Sequence, residues 1–190
     1  MHNNDPRPKP GWYVIQVSTG SEQRMCRAIE RACAEHDDAA ESDDSRVGLK
    51  ECFSPRFASR KKRKGQWYDV ERALLPGYVI ADVRNPMMLA HALHSVNAFC
   101  RVLSSDETYV PFDSYEQEWI EAYTSKGERV VPMSFGHREN DSVKIVNGPL
   151  RGQEARITRI DRSNCMAHLE FHVGPIRIKT TVGLGILPKQ

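Results

Sequence analysis

The sequence is short of the features that mark several large classes of protein. No apolar run in its 190 residues approaches the roughly 18 needed to span a membrane, so no membrane contact is expected. Cysteines are few: Cys26, Cys33, Cys52, Cys100 and Cys165 are odd in number, scattered, and never spaced C-x-x-C. That argues against a disulfide framework and against a zinc knuckle, and leaves reduced, mostly buried small hydrophobes. Cys165, His168 and His172 have a ligand-like spacing, but they lie in a strand pattern where four residues cover about 13 Å. Two imidazoles that far apart cannot share one zinc, so neither a metal nor a cofactor is expected. No motif joins a nucleophile, a base and an orienting group; Cys100 with His91 or His94 comes nearest, and no enzyme activity is expected. The opening MHNNDPRPKPG lacks a signal peptide's apolar core. Residues 1-11 are expected to be a disordered lead-in and the protein to be cytoplasmic.

What is present is an ordinary globular composition, 39% hydrophobic and 27% charged, in a chain long enough for two small domains. The net charge of +2 conceals a split. Residues 141-190 hold 8 Lys and Arg against 4 Asp and Glu, whereas residues 1-140 hold 19 against 21. The C-terminal part is therefore the expected nucleic-acid reader. A second basic cluster, RFASRKKRKG at 56-65, has six positive charges in ten residues. It fits either a solvated hairpin tip or a phosphate-contacting one.

The pattern along the chain predicts an α+β protein. WYVIQVS at 12-18 is a buried-strand pattern. Thr19 and Glu22 have capping-box spacing, predicting a helix that carries Met25, Ile29, Ala32 and Cys33 inward. The acidic HDDAAESDDSRVG is expected to be a mobile surface loop. Strands follow over 49-57, interrupted by Pro55, then over 66-74 and 74-83, as a meander. Asn85-Pro86 starts a second helix. Residues 99-103 form a short strand, and Asp113 opens a third helix with Tyr115, Trp119, Ile120 and Tyr123 as its stripe. Residues 125-140 show no sustained period and are expected to be a linker. Beyond them Val143 with Ile145, Ala155 with Ile157, the 167-171 run, Ile176 with Ile178, and Val182 alternate with period two, predicting a small five-stranded barrel.

GPLRGQEARI at 148-157 joins two of these strands through a turn with Gly148, Pro149 and Gly152. Its spacing resembles the KOW motif, with Ala155 where a third glycine is usual. WYVIQV, a polar-capped helix, a basic hairpin and then LLPGYV at 74-79 resemble the NGN domain of the NusG family, with Leu75 at a position that is usually phenylalanine. The resemblance runs from Trp12 to Leu187 in the family's domain order. It implies an NGN-like antiparallel sheet flanked by helices over 12-124, the linker over 125-140, and a KOW, SH3-like β-barrel over 141-190. Leu150 and the IDRSN continuation at 160-164 resemble the specialised LoaP-type antiterminators within that family.

The resemblance implies a transcription elongation or antitermination factor, without cofactor and monomeric. Its NGN domain is expected to bind the clamp helices of RNA polymerase's largest subunit through Leu75, Tyr78, Ile80, Phe99, Val102 and Leu103, with Met87 to His91 near a second contact. Pausing and termination would thereby be suppressed over specific operons. Arg24 and Arg27 are expected to contact upstream or non-template DNA. Lys144, Arg151, Arg156, Arg159, Arg162 and Lys179 are expected to bind a structured nascent RNA hairpin. The alternatives are a general NusG-type factor, whose barrel meets ribosomal protein or termination factor, and a ribosome-associated KOW protein that binds RNA.

Overall fold

A computed structural model describes residues 9-105, 108-139 and 142-187, so most of the expected lead-in over 1-11 lies outside the described residues. In chain order the elements are β1 (Gly11–Val17), α1 (Glu22–Asp38), β2 (Leu49–Phe53), β3 (Arg56–Arg63), β4 (Gln66–Ala73), β5 (Tyr78–Val83), α2 (Pro86–Leu93) and β6 (Cys100–Val102). There follow β7 (Ser104–Ser105), β8 (Thr108–Tyr109), α3 (Ser114–Tyr123), β9 (Val130–Val131), β10 (Ser134–Glu139), β11 (Ser142–Asn147), β12 (Arg159–Asp161), β13 (Met166–Val173) and β14 (Ile176–Leu187). The described residues fall into two compact units: one from 1-54, 77-112 and 173-175, the other from 55-76, 113-172 and 176-190.

The first unit is an antiparallel sheet of order β2-β5-β1-β6. Strand alternation sorts its side chains by face. Tyr13, Ile15, Val17, Val79, Ala81, Val83 and Val102 join Met25, Ile29 and Cys33 of α1 and Leu89, Ala92 and Leu93 of α2 in one core. On the opposite face Trp12 packs edge-on against Phe53 and stacks with Phe112. Pro55 ends β2 as expected, but β5 returns to β1 and β2 instead of to β4, so the segment is not a meander. The Asn85 side chain accepts from the amides of Met87 and Met88 and fixes the start of α2.

Helix α1 departs from the expected capping box. It begins at Glu22 behind Ser21, whose hydroxyl donates to the Ser18 carbonyl and caps nothing. The Glu22 carboxylate instead accepts from the Gly77 amide at 2.8 Å, in a buried contact 55 residues away in sequence. Gly77 takes φ +81° there, a conformation that glycine alone adopts freely. The acidic stretch after α1 is likewise tied down where a mobile loop was expected. Asp37 accepts from the amides of Val47 and Gly48, and Arg84 pairs with Asp43. Acidity had suggested solvation; Asp37 serves instead as a backbone acceptor and Asp43 as the partner of an arginine.

The second unit contains a sheet of order β4-β3-β9 and a five-stranded sheet of order β11-β10-β14-β13-β12. The region expected to be a linker holds both β9 and β10. Strand β10 pairs antiparallel with β11 and parallel with β14, which satisfies its backbone groups without a strong period in its sequence. Residues 176-187 form one continuous strand, and Glu154–Arg156 forms a 3-10 turn where a strand was expected. The second unit groups the β3–β4 ribbon and α3 with the C-terminal strands.

Two changes test these contacts. Burial pushes the Glu22 carboxyl up, but backbone donors led by the Gly77 amide outweigh it and hold the group below its ordinary range. Glu22→Ala should cost about 1–3 kcal/mol at neutral pH. A depressed carboxylate stabilises the fold above its unfolded value and ceases to as pH falls through the folded one, so the deficit should shrink in acid. Urea denaturation at pH 7 and again near pH 3 checks both statements. In β14, a methyl on Gly183 would lie 2.1 Å from the Ala58 carbonyl oxygen of β3, with no flexible side chain to yield. Gly183→Ala should destabilise by about 1–3 kcal/mol or more, read as a lowered melting temperature.

Candidate functional surfaces

The six residues expected to meet a polymerase do not share one exposed face. Tyr78 and Ile80 sit opposite Gln16 and Val14 of β1, on the sheet face away from the helices. Val102 points the other way, into the helix-covered core, because neighbouring strand residues alternate. Leu75, Ile80, Val102 and Leu103 are all buried. Phe99, 55% exposed, and the half-buried Tyr78 are the members of this set that a partner can reach. Met87, also half exposed, lies in the first turn of α2. Arg24 and Arg27 do lie together on the solvent face of α1, opposite Met25, Cys26 and Ile29.

In the second unit the cations divide into two kinds. Lys144, Arg151, Arg159, Arg162 and Lys179 are exposed, and none takes part in an ion pair among the described residues. A polar groove of about 710 Å³ runs past Arg159, Arg162, Thr158 and Ser142. Arg151 follows the glycine-proline turn. Gly148 there has φ +94°, and any side chain on it would lie 2.6 Å from the Ser134 Cα. The Leu150 amide donates to the Ser134 hydroxyl at 3.0 Å and locks the turn onto β10.

Arg156, also expected among the RNA-binding cations, is of the second kind and is held by an acidic partner. Its guanidinium donates to the carboxylate of Glu116, a residue of α3 that is only 2% exposed. It also lies over the rings of Tyr115, at 4.9 Å, and Phe171, at 5.6 Å. His172 approaches the other Glu116 oxygen at 3.5 Å. Beside them the Trp119 indole donates to the Pro149 carbonyl at 3.0 Å, and its ring meets Phe171 edge-on. Sequence periodicity found the Trp119 and Ile120 stripe of α3 but placed Tyr115 and Tyr123 in it, and both are exposed. A buried glutamate one helical turn before a buried tryptophan was the available signal that α3 grips something charged.

Cys33 and Cys52 are not activated thiols. Burial pushes Cys33 up to about 12, and a hydrogen bond with Cys26 together with burial pushes Cys52 well up. Both remain protonated near neutrality, unlike reactive thiolates.

Removing one partner of a buried ion pair leaves an uncompensated charge, a loss of about 3–5 kcal/mol. Arg156→Ala should therefore destabilise the protein severely, whereas Arg151→Ala should change stability by less than about 0.5 kcal/mol. Parallel denaturation curves of the two variants separate the structural arginine from the solvent-facing one.

Comparison with known proteins agrees with this architecture. A family model described as transcription termination factor nusG matches residues 10–121, and one described as the KOW motif matches residues 139–170. A transcription termination/antitermination protein NusG of Helicobacter pylori (strain J99) is 26% identical over 151 residues, covering 79% of this chain and 81% of its own. The NusG of Lactococcus lactis is 27% identical over 155 residues, covering 80% and 78%. A solved structure of Thermotoga maritima NusG, described for its domain interaction, superposes with a TM-score of 0.52 at 18% identity, covering 92% of this chain and 94% of that one, which is a likeness of fold. With the N-terminal family model spanning more than half of its length and the KOW motif following in order, the chain belongs to the NusG family of transcription factors.

Proposed function

We propose that this protein is an antitermination factor that rides on RNA polymerase and is directed to particular operons by structured nascent RNA. Its N-terminal sheet engages the clamp helices of the largest subunit, restraining the clamp and suppressing pauses. Phe99 and Tyr78 are the first contacts, and Ile80 and Leu103 extend the same apolar face if it opens to the partner. Arg24 and Arg27 on α1 lie where they can touch upstream or non-template DNA. The C-terminal strands carry the RNA-recognition role through Lys144, Arg151, Arg159, Arg162 and Lys179.

The observation that carries this reading is the separation of cations in the second unit. Arg156 is tied to Glu116 and Arg177 pairs with Glu170, while Lys144, Arg151, Arg162 and Lys179 are exposed with no ion pair among the described residues, and Arg159 is exposed beside Asp161. Unpaired surface arginines and lysines beside a polar groove suit the phosphates and shape of a folded RNA. A barrel that met only protein would have less need of them.

Binding of the full-length chain to a folded leader-type hairpin, against unstructured RNA of equal length across a salt series, tests the reading. We expect preference for the hairpin, and an Arg151→Ala/Arg162→Ala variant whose salt slope falls by nearly 2. Phe99→Ala should weaken polymerase binding by about 2 kcal/mol or more while leaving hairpin binding unchanged. If the hairpin is not preferred and polymerase still binds, the partner of the C-terminal strands is a protein.

A further inference from the structure

The ribbon formed by β3 and β4 extends well past what its packing requires. Phe57 and Ser59 are buried, but every residue from Arg60 to Asp69 is exposed. The ribbon turns through Lys64 and Gly65, both with positive φ, the geometry that keeps a two-residue hairpin in register with its twisted strands. The register puts Lys61 opposite Tyr68, Lys62 opposite Trp67 and Arg60 opposite Asp69. Directly opposed residues share a face, so the ribbon has two chemically different sides.

One side is self-neutralised. Arg60 pairs with Asp69 at 2.9 Å, Arg56 pairs with Glu71, and the Lys62 ammonium lies over the Trp67 ring at 5.9 Å. The other side carries Lys61, Arg63, Gln66 and Tyr68, and no acid stands among them. Lys61, Arg63 and Tyr68, with Lys64 and Val70, line a groove of about 730 Å³. Tyr68 is 48% exposed, and its hydroxyl donates to the Gln66 side-chain oxygen at 3.0 Å. That bond leaves the Gln66 amide nitrogen to donate to a further acceptor and the Tyr68 oxygen to accept from a further donor.

We propose that this face of the β3–β4 ribbon is a binding site for single-stranded RNA, separate from the surface around Arg151 and Arg162. Lys61 and Arg63 stand about 7 Å apart along β3 and would hold successive phosphates. The Tyr68 ring provides a platform on which an unpaired base stacks, a contact available to every base. The Gln66 and Tyr68 polar atoms match a ribose 2′-hydroxyl, which both donates and accepts and which DNA lacks. A duplex, whose bases are already stacked, would gain only the charge contacts.

The test uses the full-length chain with labelled oligouridine RNA, oligothymidine DNA of the same length and an RNA duplex, followed by fluorescence anisotropy over a salt series. Oligouridine should bind best, and Tyr68→Ala should weaken it about tenfold. Lys61→Ala/Arg63→Ala should lower the salt slope for single strands by about 1.4. Arg60→Ala, on the neutralised side, should bind as the unaltered protein does. These residues are all exposed, so unchanged melting of each variant verifies that the fold survives. Equal binding of the DNA, competition by polyglutamate as strong as by RNA, or a Tyr68→Ala protein of undiminished affinity overturns the proposal. Loss of oligouridine binding in Arg151→Ala/Arg162→Ala with the ribbon variants unaffected also overturns it and leaves the hairpin reading standing; loss of hairpin binding alone in that variant leaves the ribbon site standing.

Discussion

The turn at Gly148, Pro149 and Leu150 is the constraint on which the second unit depends. Gly148 must have no side chain because β10 passes within contact distance, and the Leu150 amide is claimed by the Ser134 hydroxyl of that strand. Pro149 cannot donate, but its carbonyl accepts the indole N–H of Trp119, which brings α3 against the turn. Once Trp119 is placed, Glu116 one turn earlier on α3 meets Arg156, and His172 closes on the same carboxylate. A motif recognisable for its glycine and proline is thus also the socket for a helix that precedes it by some thirty residues. Buried charge and buried indole are both satisfied by the same short loop, which fixes one arrangement in place of several near-equal ones.

Much of the fold was legible because period and punctuation agreed. The alternation of WYVIQV, the Asn85-Pro86 helix start and the Asp113 cap all describe local physics, and all three stand in the structure. What could not be read was long-range. The Glu22 carboxylate has backbone donors at its own helix start, and only the folded chain shows that the distant Gly77 amide leads them. Strand β10 lacks a strong period because it is paired on both sides and contains a glycine that Lys144 would otherwise crowd. Such a segment resembles a linker in sequence.

Sites divided in the same way. Residue type and net charge located the basic C-terminal surface, but the same code described Arg156 and Arg151, one tied to a buried carboxylate and the other facing water. The LLPGYV stretch likewise marked the right strand without separating Tyr78, within reach of a partner, from Ile80 and Leu75 in the interior. Reach of this kind depends on what covers a position as well as on its side of the strand, since Tyr78 and Ile80 share one face. The ribbon shows the reverse case. Six cations in ten residues gave one undivided impression of charge, while pairing across β3 and β4 separates a neutralised side from an open one.

The parallel pairing of β10 with β14 has a consequence for how the chain matures. Strand β14 also pairs with β13, and Thr180 within it donates to the Leu74 carbonyl, 106 residues earlier. None of these contacts can form while β14 is still inside the ribosome, so the second unit stays open through most of synthesis. Parallel, widely separated pairings are slow to find because the loop must close before any bond repays it. At about 5–20 residues per second, the sheet of the first unit is fully synthesised several seconds before β14 emerges. In a nascent chain the NGN-type sheet is therefore the first part able to settle, with the ribbon, α3 and the KOW strands joining as one late step.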